Sequence, residues 1–533
     1  MSSLWSVLGA WLALAGVAQA ADGPRLLLIG GAAPVCASGS PAACRAGAPA
    51  PARLAQLRLD EAAIARLAGG WWHPQRQAAQ ARVASALRGW LAEAGAIQPS
   101  PEAVAAALGP AWEALAGFER TRVLEALEVA PATETVALND SRDDSGAALY
   151  RSFVAMPQEV SRRDRPRVLV STASGRDPYA AVDFYLALFA QTGAEVRWLP
   201  LDHALRAAQA RPGRDCAQLD RLRGARWGAQ DRAHLHPQRA QQLEAACRDP
   251  RQLQTAIDWA DAVFLNGGDQ SFTRAAWFAA DGRPSAELRQ LRARLEAGSL
   301  VLGGTSAGAA VQAGPDAMLV SGPALPANRA QALTALPPDP GCAAAGACGG
   351  VDPDALLVHP EGGLASFDGV VDTHFSERGR EYRLARVLLD TPATLAVGVD
   401  ENTALRLDRA GAGWRAQVLG QGAATWLWQA APTRLLWRSQ QAGERLRWPL
   451  AGTAPACTRG PSKSAMLDAG GPTLRDALVA ADARVPLRLR LRAGTREVAA
   501  GQVCGAPEGM RVWEFPPGPD AMPIPTTSRS GSG

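Results

Sequence analysis

"LVLGGTSAGAAVQ", Leu300 to Gln312, sets a serine among small residues directly after an apolar run. A short buried strand that turns at once into a helix reads this way, because Gly and Ala let neighbouring backbones crowd a sharp corner. Gly304-Thr305-Ser306-Ala307-Gly308 fits the G-x-S-x-G nucleophile elbow, in which the serine oxygen stands off a sheet edge near a helix N-terminus. On the pattern alone, a Gly/Ala-rich helix start that merely packs tightly reads equally well. The surrounding chain has to decide between them.

Working outward, the same rhythm recurs. "RVLVSTAS" reads as a strand, Asp177-Pro178 as a helix start, and Val182, Tyr185, Leu186 and Phe189 as that helix's apolar face. Gly193 ends it before the strand "EVRWL". "ADAVFLNGGDQ" repeats the strand-to-glycine loop, and "SAELRQLRARLEAG" is a helix with Leu288, Leu291 and Leu295 inward. Alternation of this kind predicts an α/β fold with a mostly parallel sheet covered by helices on both faces. Chemistry then belongs at the carboxyl ends of the strands, where Gly267-Gly268-Asp269-Gln270 and the Ser306 corner both fall. "RLLLIGG", Arg25 to Gly31, supplies a buried first strand.

Between the first strand and Arg167 lies helical sequence. Val83, Leu87, Trp90 and Leu91 share one face, and Ser100-Pro101-Glu102 starts another helix. Residues 45–155 read as an inserted helical subdomain within an α/β domain of 21–427. After about residue 430, alternating segments such as "RLLWRSQ" and "VPLRLRLRAG" predict a small β-rich region over 428–513, followed by a disordered tail over 514–533.

With 533 residues, 47% hydrophobic and 20% charged, the chain has the composition of a multi-domain globular protein. The net charge of +4 carries no dense basic run, which leaves nucleic-acid binding unsupported. Lys463 is the only lysine, so the arginine and alanine richness reads as compositional bias. Residues 1–20 form an apolar stretch ending Ala18-Gln19-Ala20, a signal-peptide pattern without a basic n-region, and no later stretch reaches membrane-span length. Export to the periplasm or medium is expected, with no membrane contact after cleavage. Cys36, Cys44, Cys216, Cys247, Cys342, Cys348, Cys457 and Cys504 fall as four sequence-local pairs. Four disulfides are the economical reading in an oxidising compartment, although eight cysteines leave connectivity open. No metal-ligand spacing stands out. His234-Leu235-His236 reads as a solvated loop rather than a ligand pair.

A serine nucleophile needs a base and the base needs an orienting group. Of the histidines, His374 in "GVVDTHFSERGREYRL" is best placed, at a strand end that follows the elbow. "LAVGVDENTAL" then brings Asp400-Glu401 to another strand end, giving the order Ser306, His374, Glu401. Esterases of the α/β-hydrolase type run nucleophile, acid, histidine, and would need Asp352, Asp354 or Asp368 instead. Asp372 with Arg378, Arg380 and Arg383 places both charge signs beside the base, which suits a zwitterionic substrate; a solvated ion-pair network reads as well from spacing alone.

"FLNGGDQSFTR", "LVLGGTSAGAAV", "GVVDTHFSERGREYRL" and "VGVDENTAL", in this order, resemble the cyanophycinases, serine peptidases of the S51 family that also holds aspartyl dipeptidases. The resemblance covers the first strand and then roughly residues 165 to 427. It implies Ser306 as nucleophile, His374 as base and Glu401 as its partner. It implies substrate contact by Gln270 and a charged recognition pocket of Asp372, Arg378, Arg380 and Arg383. The substrate implied is cyanophycin, a poly-aspartate carrying arginine through isopeptide bonds, released as β-aspartyl-arginine. Thr373 departs from the glutamine that many cyanophycinases carry there. The mechanism expected is acyl transfer, with the N–H groups of Ala307 and Gly268 as oxyanion donors, no metal and no organic cofactor. A homodimer stays open as an assembly. The alternatives are an exported S51 peptidase acting on other aspartyl or isoaspartyl peptides, and a non-catalytic binding protein on the same scaffold.

Overall fold

The computed structural model describes residues 23–48, 56–70, 72, 74–130, 133–226, 228–320, 357–450, 457, 463–467, 487–493, 496–505 and 510–514. The leader at 1–20, Cys342 and Cys348, and all but the first residue of the expected 514–533 tail lie outside them. Among the described residues, no helix is long and apolar enough to cross a membrane.

Strands β1 (Arg25–Ile29), β2 (Arg167–Ser171), β3 (Glu195–Leu199), β4 (Ala262–Leu265) and β5 (Val301–Thr305) pair in parallel, in the order β1-β5-β4-β2-β3. β1, β2, β4 and β5 read as largely apolar runs because both faces are covered, whereas the edge strand β3 carries Glu195 and the exposed Arg197. Leu27, Ile29, Val170 and Phe264 meet Tyr150, Phe153 and Phe189 of the helices Asp144–Ser161 and Val182–Gln191. Leu26, Leu28, Val263 and Leu302 meet Leu205, Ile257, Leu288 and Leu291 on the opposite face.

Two short strands, β6 (Met318–Val320) and β7 (Leu357–His359), pair with each other. β8 (Val370–Thr373) and β9 (Leu395–Val399) lie parallel and open a second sheet. β10 (Thr403–Ala410) then returns to the first sheet, antiparallel to β1, followed outward by β11 (Gly413–Gly420). β12 (Ala423–Ala431) and β13 (Arg434–Gln441) extend the second sheet from β9, and β14 (Arg445–Trp448) edges the first. β15 (Lys463–Leu467), β16 (Leu487–Ala493), β17 (Arg496–Gly505) and β18 (Arg511–Glu514) complete the second sheet beyond β13. Leu405, Leu407, Trp414 and Val418 of the first sheet share one core with Val371, Val397, Val399 and Trp426 of the second. Phe367 sits between them, its ring 5.9 Å from Trp414 and 6.3 Å from Trp426.

The sheet is therefore parallel on one side and antiparallel on the other, and the C-terminal strands continue the sheet that holds β8 and β9. The expected boundary at 427/428 falls inside β12. The insertion is also narrower than expected. Leu59, Ile64, Leu67, Val83, Leu87, Val104 and Val123 close a core of their own, with Asp60 and Ser100 capping their helices. The helix Asp144–Ser161 instead covers the main sheet through Tyr150 and Phe153, whose periodicity marks an apolar face without saying which core it meets. The helix expected from Asp177 begins at Val182, because Asp177 accepts the Tyr179 N–H (2.9 Å) and pairs with Arg232 (2.7 Å) in a turn.

Among the described residues, three disulfides join Cys36 to Cys44, Cys216 to Cys247 and Cys457 to Cys504. His236 is packed rather than solvated, its ring 5.9 Å from Tyr179 and its Nε2 3.9 Å from Asp177.

Candidate active site

The Ser306 corner is as tight as its composition requires. Ser306 sits at φ 52°, ψ −119° between β5 and the short helix Ala307–Ala310. A non-glycine residue held there costs about 1–3 kcal/mol, supplied by the packing around it. A Cβ on Gly304 would lie 2.2 Å from the Gly308 carbonyl oxygen, and one on Gly308 2.2 Å from that of Leu265. Both positions demand glycine.

His374 follows β8 and Glu401 follows β9, both in the second sheet. Ser306 Oγ lies 2.8 Å from His374 Nε2, and His374 Nδ1 lies 2.5 Å from Glu401 Oε1. The end of β1 sets this register. The Ser306 N–H donates to the Ile29 carbonyl (2.9 Å), the His374 N–H to Gly30 (2.8 Å) and the Asn402 N–H to Gly31 (2.9 Å). Three successive carbonyls thus hold the loops of all three side chains. A Cβ on Gly31, at φ 107°, would come within 2.3 Å of the imidazole, and one on Gly30 within 2.0 Å of the Asp400 carbonyl oxygen. Sequence reading treated this glycine pair only as the close of a strand; two adjacent glycines ending a buried strand were the available signal.

Further residues fix the base and its partner. Asp400 accepts the N–H groups of Ser376 (3.1 Å) and Ala423 (3.0 Å), and Glu377 accepts that of Glu401 (3.1 Å). Asn402, at φ 49°, donates from its side chain to Ser145 Oγ (2.5 Å) and Gln421 Oε1 (2.9 Å). Burial lowers the His374 pKa; the charges of Arg378 and Arg380 lower it further, while Glu401 pulls the other way. The net result favours the neutral imidazole, the form able to accept a proton.

The expected recognition residues divide into two groups. Asp372 is buried and held bidentately by Arg383 (2.7 and 2.5 Å), with Arg380 at 3.4 Å. Burial pushes its carboxyl up, and the two arginines outweigh that and leave it below the ordinary value. Arg380 also donates to the Thr373 carbonyl (2.6 Å), while Thr373 N–H donates to Asp372 (2.8 Å). Asp372 and Arg383 are thus committed to each other, whereas Arg378 is exposed. Burial also lowers Arg380, to about 10. Gln270 is buried and spends its amide N–H on the Leu319 carbonyl (2.7 Å), anchoring β6. The loop before it lies against the nucleophile: a Cβ on Gly267 would sit 3.3 Å from Ser306 Cβ. Gly268 is exposed beside it, and Ala307 opens the helix after Ser306. Among the described residues, no group of three or more His, Cys, Asp or Glu is arranged to hold a metal ion.

No family model matches the chain. Among curated proteins it is 33% identical over 175 residues to a cyanophycinase of Trichormus variabilis, covering 33% of this chain and 47% of that protein. It is 30% identical over 156 residues to a cyanophycinase of Geminocystis herdmanii (29% and 46% covered). A cyanophycinase of Synechococcus elongatus is 34% identical over 164 residues (31% and 40%). The chain spans about half the length of the curated relatives it matches. Among solved structures, a peptidase from an acI-B1 Actinobacterium is 17% identical, covering 57% of this chain and 91% of that one, at a TM-score of 0.33, too low to carry an argument. Over about a third of its length the chain is thus similar to cyanophycinases, in agreement with the four motifs that resemble the S51 peptidases.

Proposed function

We propose that the protein is a serine exopeptidase that hydrolyses cyanophycin to β-aspartyl-arginine. The observation that carries this reading is the unbroken relay from Ser306 through His374 to Glu401, at 2.8 and 2.5 Å. Ser306 Oγ attacks the scissile carbonyl as its proton passes to His374 Nε2, and Glu401 holds the imidazole by Nδ1–H and stabilises its charged form. The N–H groups of Ala307 and Gly268 face the developing oxyanion, each contributing about 3–4 kcal/mol. His374 then protonates the leaving amine, and water, deprotonated by the same imidazole, releases the acyl group. No step uses a metal or an organic cofactor.

Arg378 and Arg380 are the arginines that meet the acidic groups of the substrate. Gln270 shapes the same cleft by fixing β6, and the Asp372–Arg383 pair braces the loop that carries Arg378 and Arg380. The disulfides favour an oxidising compartment, so the working protein is exported, periplasmic or secreted.

Mass analysis of the products after incubation with cyanophycin tests the reading. Wild-type protein is expected to release β-aspartyl-arginine, and Ser306→Ala to lose on the order of 10^6-fold in kcat. Turnover of a panel of aspartyl or isoaspartyl dipeptides but not of cyanophycin would move the assignment to the broader peptidase. Unchanged turnover in Ser306→Ala would end the relay assignment.

A further inference from the structure

With a substrate that carries a guanidinium, which is the proposed function's premise, the cleft needs an anionic partner. The carboxylates at the carboxyl ends of the strands can be accounted for one by one. Asp177, after β2, is paired with Arg232 (2.7 Å). Asp202, after β3, is paired with Arg223 (2.9 Å). Asp372, ending β8, is held by Arg383 and Arg380. Asp400, after β9, accepts two backbone N–H groups, Glu401 belongs to His374, and Glu377, after β8, accepts the Glu401 N–H (3.1 Å) and is exposed.

Asp269, after β4, differs from all of these. Its Oδ1 accepts the Ser271 N–H (2.7 Å) and so caps the helix Gln270–Trp277, and no described arginine forms an ion pair with it. It keeps partial exposure although burial pushes its carboxyl up, the combination expected at the floor of a cleft. Its loop is wedged between the nucleophile and the β2 loop. Gly267 abuts Ser306, a Cβ on Gly268 would lie 2.3 Å from the Ser174 carbonyl oxygen, and the Asp269 N–H donates to that same oxygen (2.9 Å). The carboxylate is fixed in place one residue from the exposed Gly268, and its described hydrogen bonds all come from Ser271, through the backbone N–H and the side chain.

We propose that Asp269 is the carboxylate that receives the cationic side chain of the substrate, making it a specificity determinant of the Ser306 site. A desolvated guanidinium–carboxylate contact discriminates strongly against a neutral isostere of the same shape.

Asp269→Asn separates this role from capping, because asparagine caps a helix as well as aspartate does. Two β-aspartyl dipeptides, one with arginine and one with its uncharged isostere citrulline, are titrated calorimetrically into full-length Ser306→Ala protein and into Ser306→Ala/Asp269→Asn protein. The expected result is a preference for arginine of about ten- to hundredfold that disappears in the double variant, with citrulline affinity unchanged. In the catalytically intact background, Asp269→Asn should raise KM for the arginine-bearing substrate and leave kcat within about twofold. Three results would overturn the proposal: no preference for arginine in the Ser306→Ala protein, a preference that survives Asp269→Asn, or one abolished instead by Glu377→Gln. These binding arms do not depend on turnover. Failure to cleave cyanophycin would therefore count against the proposed reaction, while an unaltered arginine preference would count against Asp269.

Discussion

The two sides of the Ser306–His374–Glu401 hydrogen-bonded relay are built differently. Ser306 stands on the first sheet, in a backbone corner where Gly304 and Gly308 leave no room for a side chain and the serine carries a positive φ. His374 and Glu401 stand on the second sheet, held by hydrogen bonds from loop to loop through Asp400, Glu377 and Asn402. One side gains precision from sterics, the other from polar contacts. The close of β1 is where they meet, since the carbonyls of Ile29 and of Gly30 and Gly31 just after it hold one loop each. Side chains on the second sheet can therefore be altered in small steps, whereas changes at the glycine seam should act as a switch.

The largest effect is expected at that seam. Gly31→Ala adds a methyl group 2.3 Å from the imidazole at a φ of 107°, and should lower kcat by roughly 10^2-fold or more while circular dichroism stays native. A variant with near-normal kcat would break the contrast, because the imidazole would then tolerate displacement. An effect on stability rather than chemistry is expected from Arg383→Ala. It leaves the buried Asp372 with only Arg380 (3.4 Å) and the Thr373 N–H (2.8 Å) and should cost about 3 kcal/mol in denaturant unfolding. A loss under about 1 kcal/mol would mean that Asp372 is solvated and open to substrate.

The smallest effect concerns the electrostatic setting of the base. Because burial and two nearby arginines lower the His374 pKa, the imidazole stays neutral to a lower pH than usual. The acid limb of kcat/KM should then fall below about 6.5. Arg378→Ala removes one of the depressing charges, so the limb should move upward; a downward move would show Glu401, not the arginines, to be the group that Arg378 influences.

Local signals made the nucleophile side legible from the chain alone. The elbow is five contiguous residues, and the helix that precedes β5 announces itself through Ser285, which caps it, and Leu288, Leu291 and Leu295. Which strand lies beside which was less legible. β10 pairs with β1 across nearly four hundred residues, and no local pattern tells whether the strand after Asn402 continues the first sheet or leaves it. The same limit explains Phe153. Its place in an amphipathic helix was readable, but its burial against Gly303, where a Cβ would lie 2.4 Å from its ring, depends on tertiary packing. The charged cluster around Asp372 was visible as composition, while its closure into a buried pair was not, because ion-pair partnership depends on depth that spacing does not report.

The three carbonyls at and just after the close of β1 also bear on how the molecule comes into being. Ser306, His374 and Asn402 all take their backbone positions from Ile29, Gly30 and Gly31, far earlier in the chain. A nascent or proteolytically shortened polypeptide lacking either end of that partnership holds the reactive groups without aligning them. The alignment of Ser306, His374 and Glu401 is therefore a property of the finished tertiary structure rather than of any one segment.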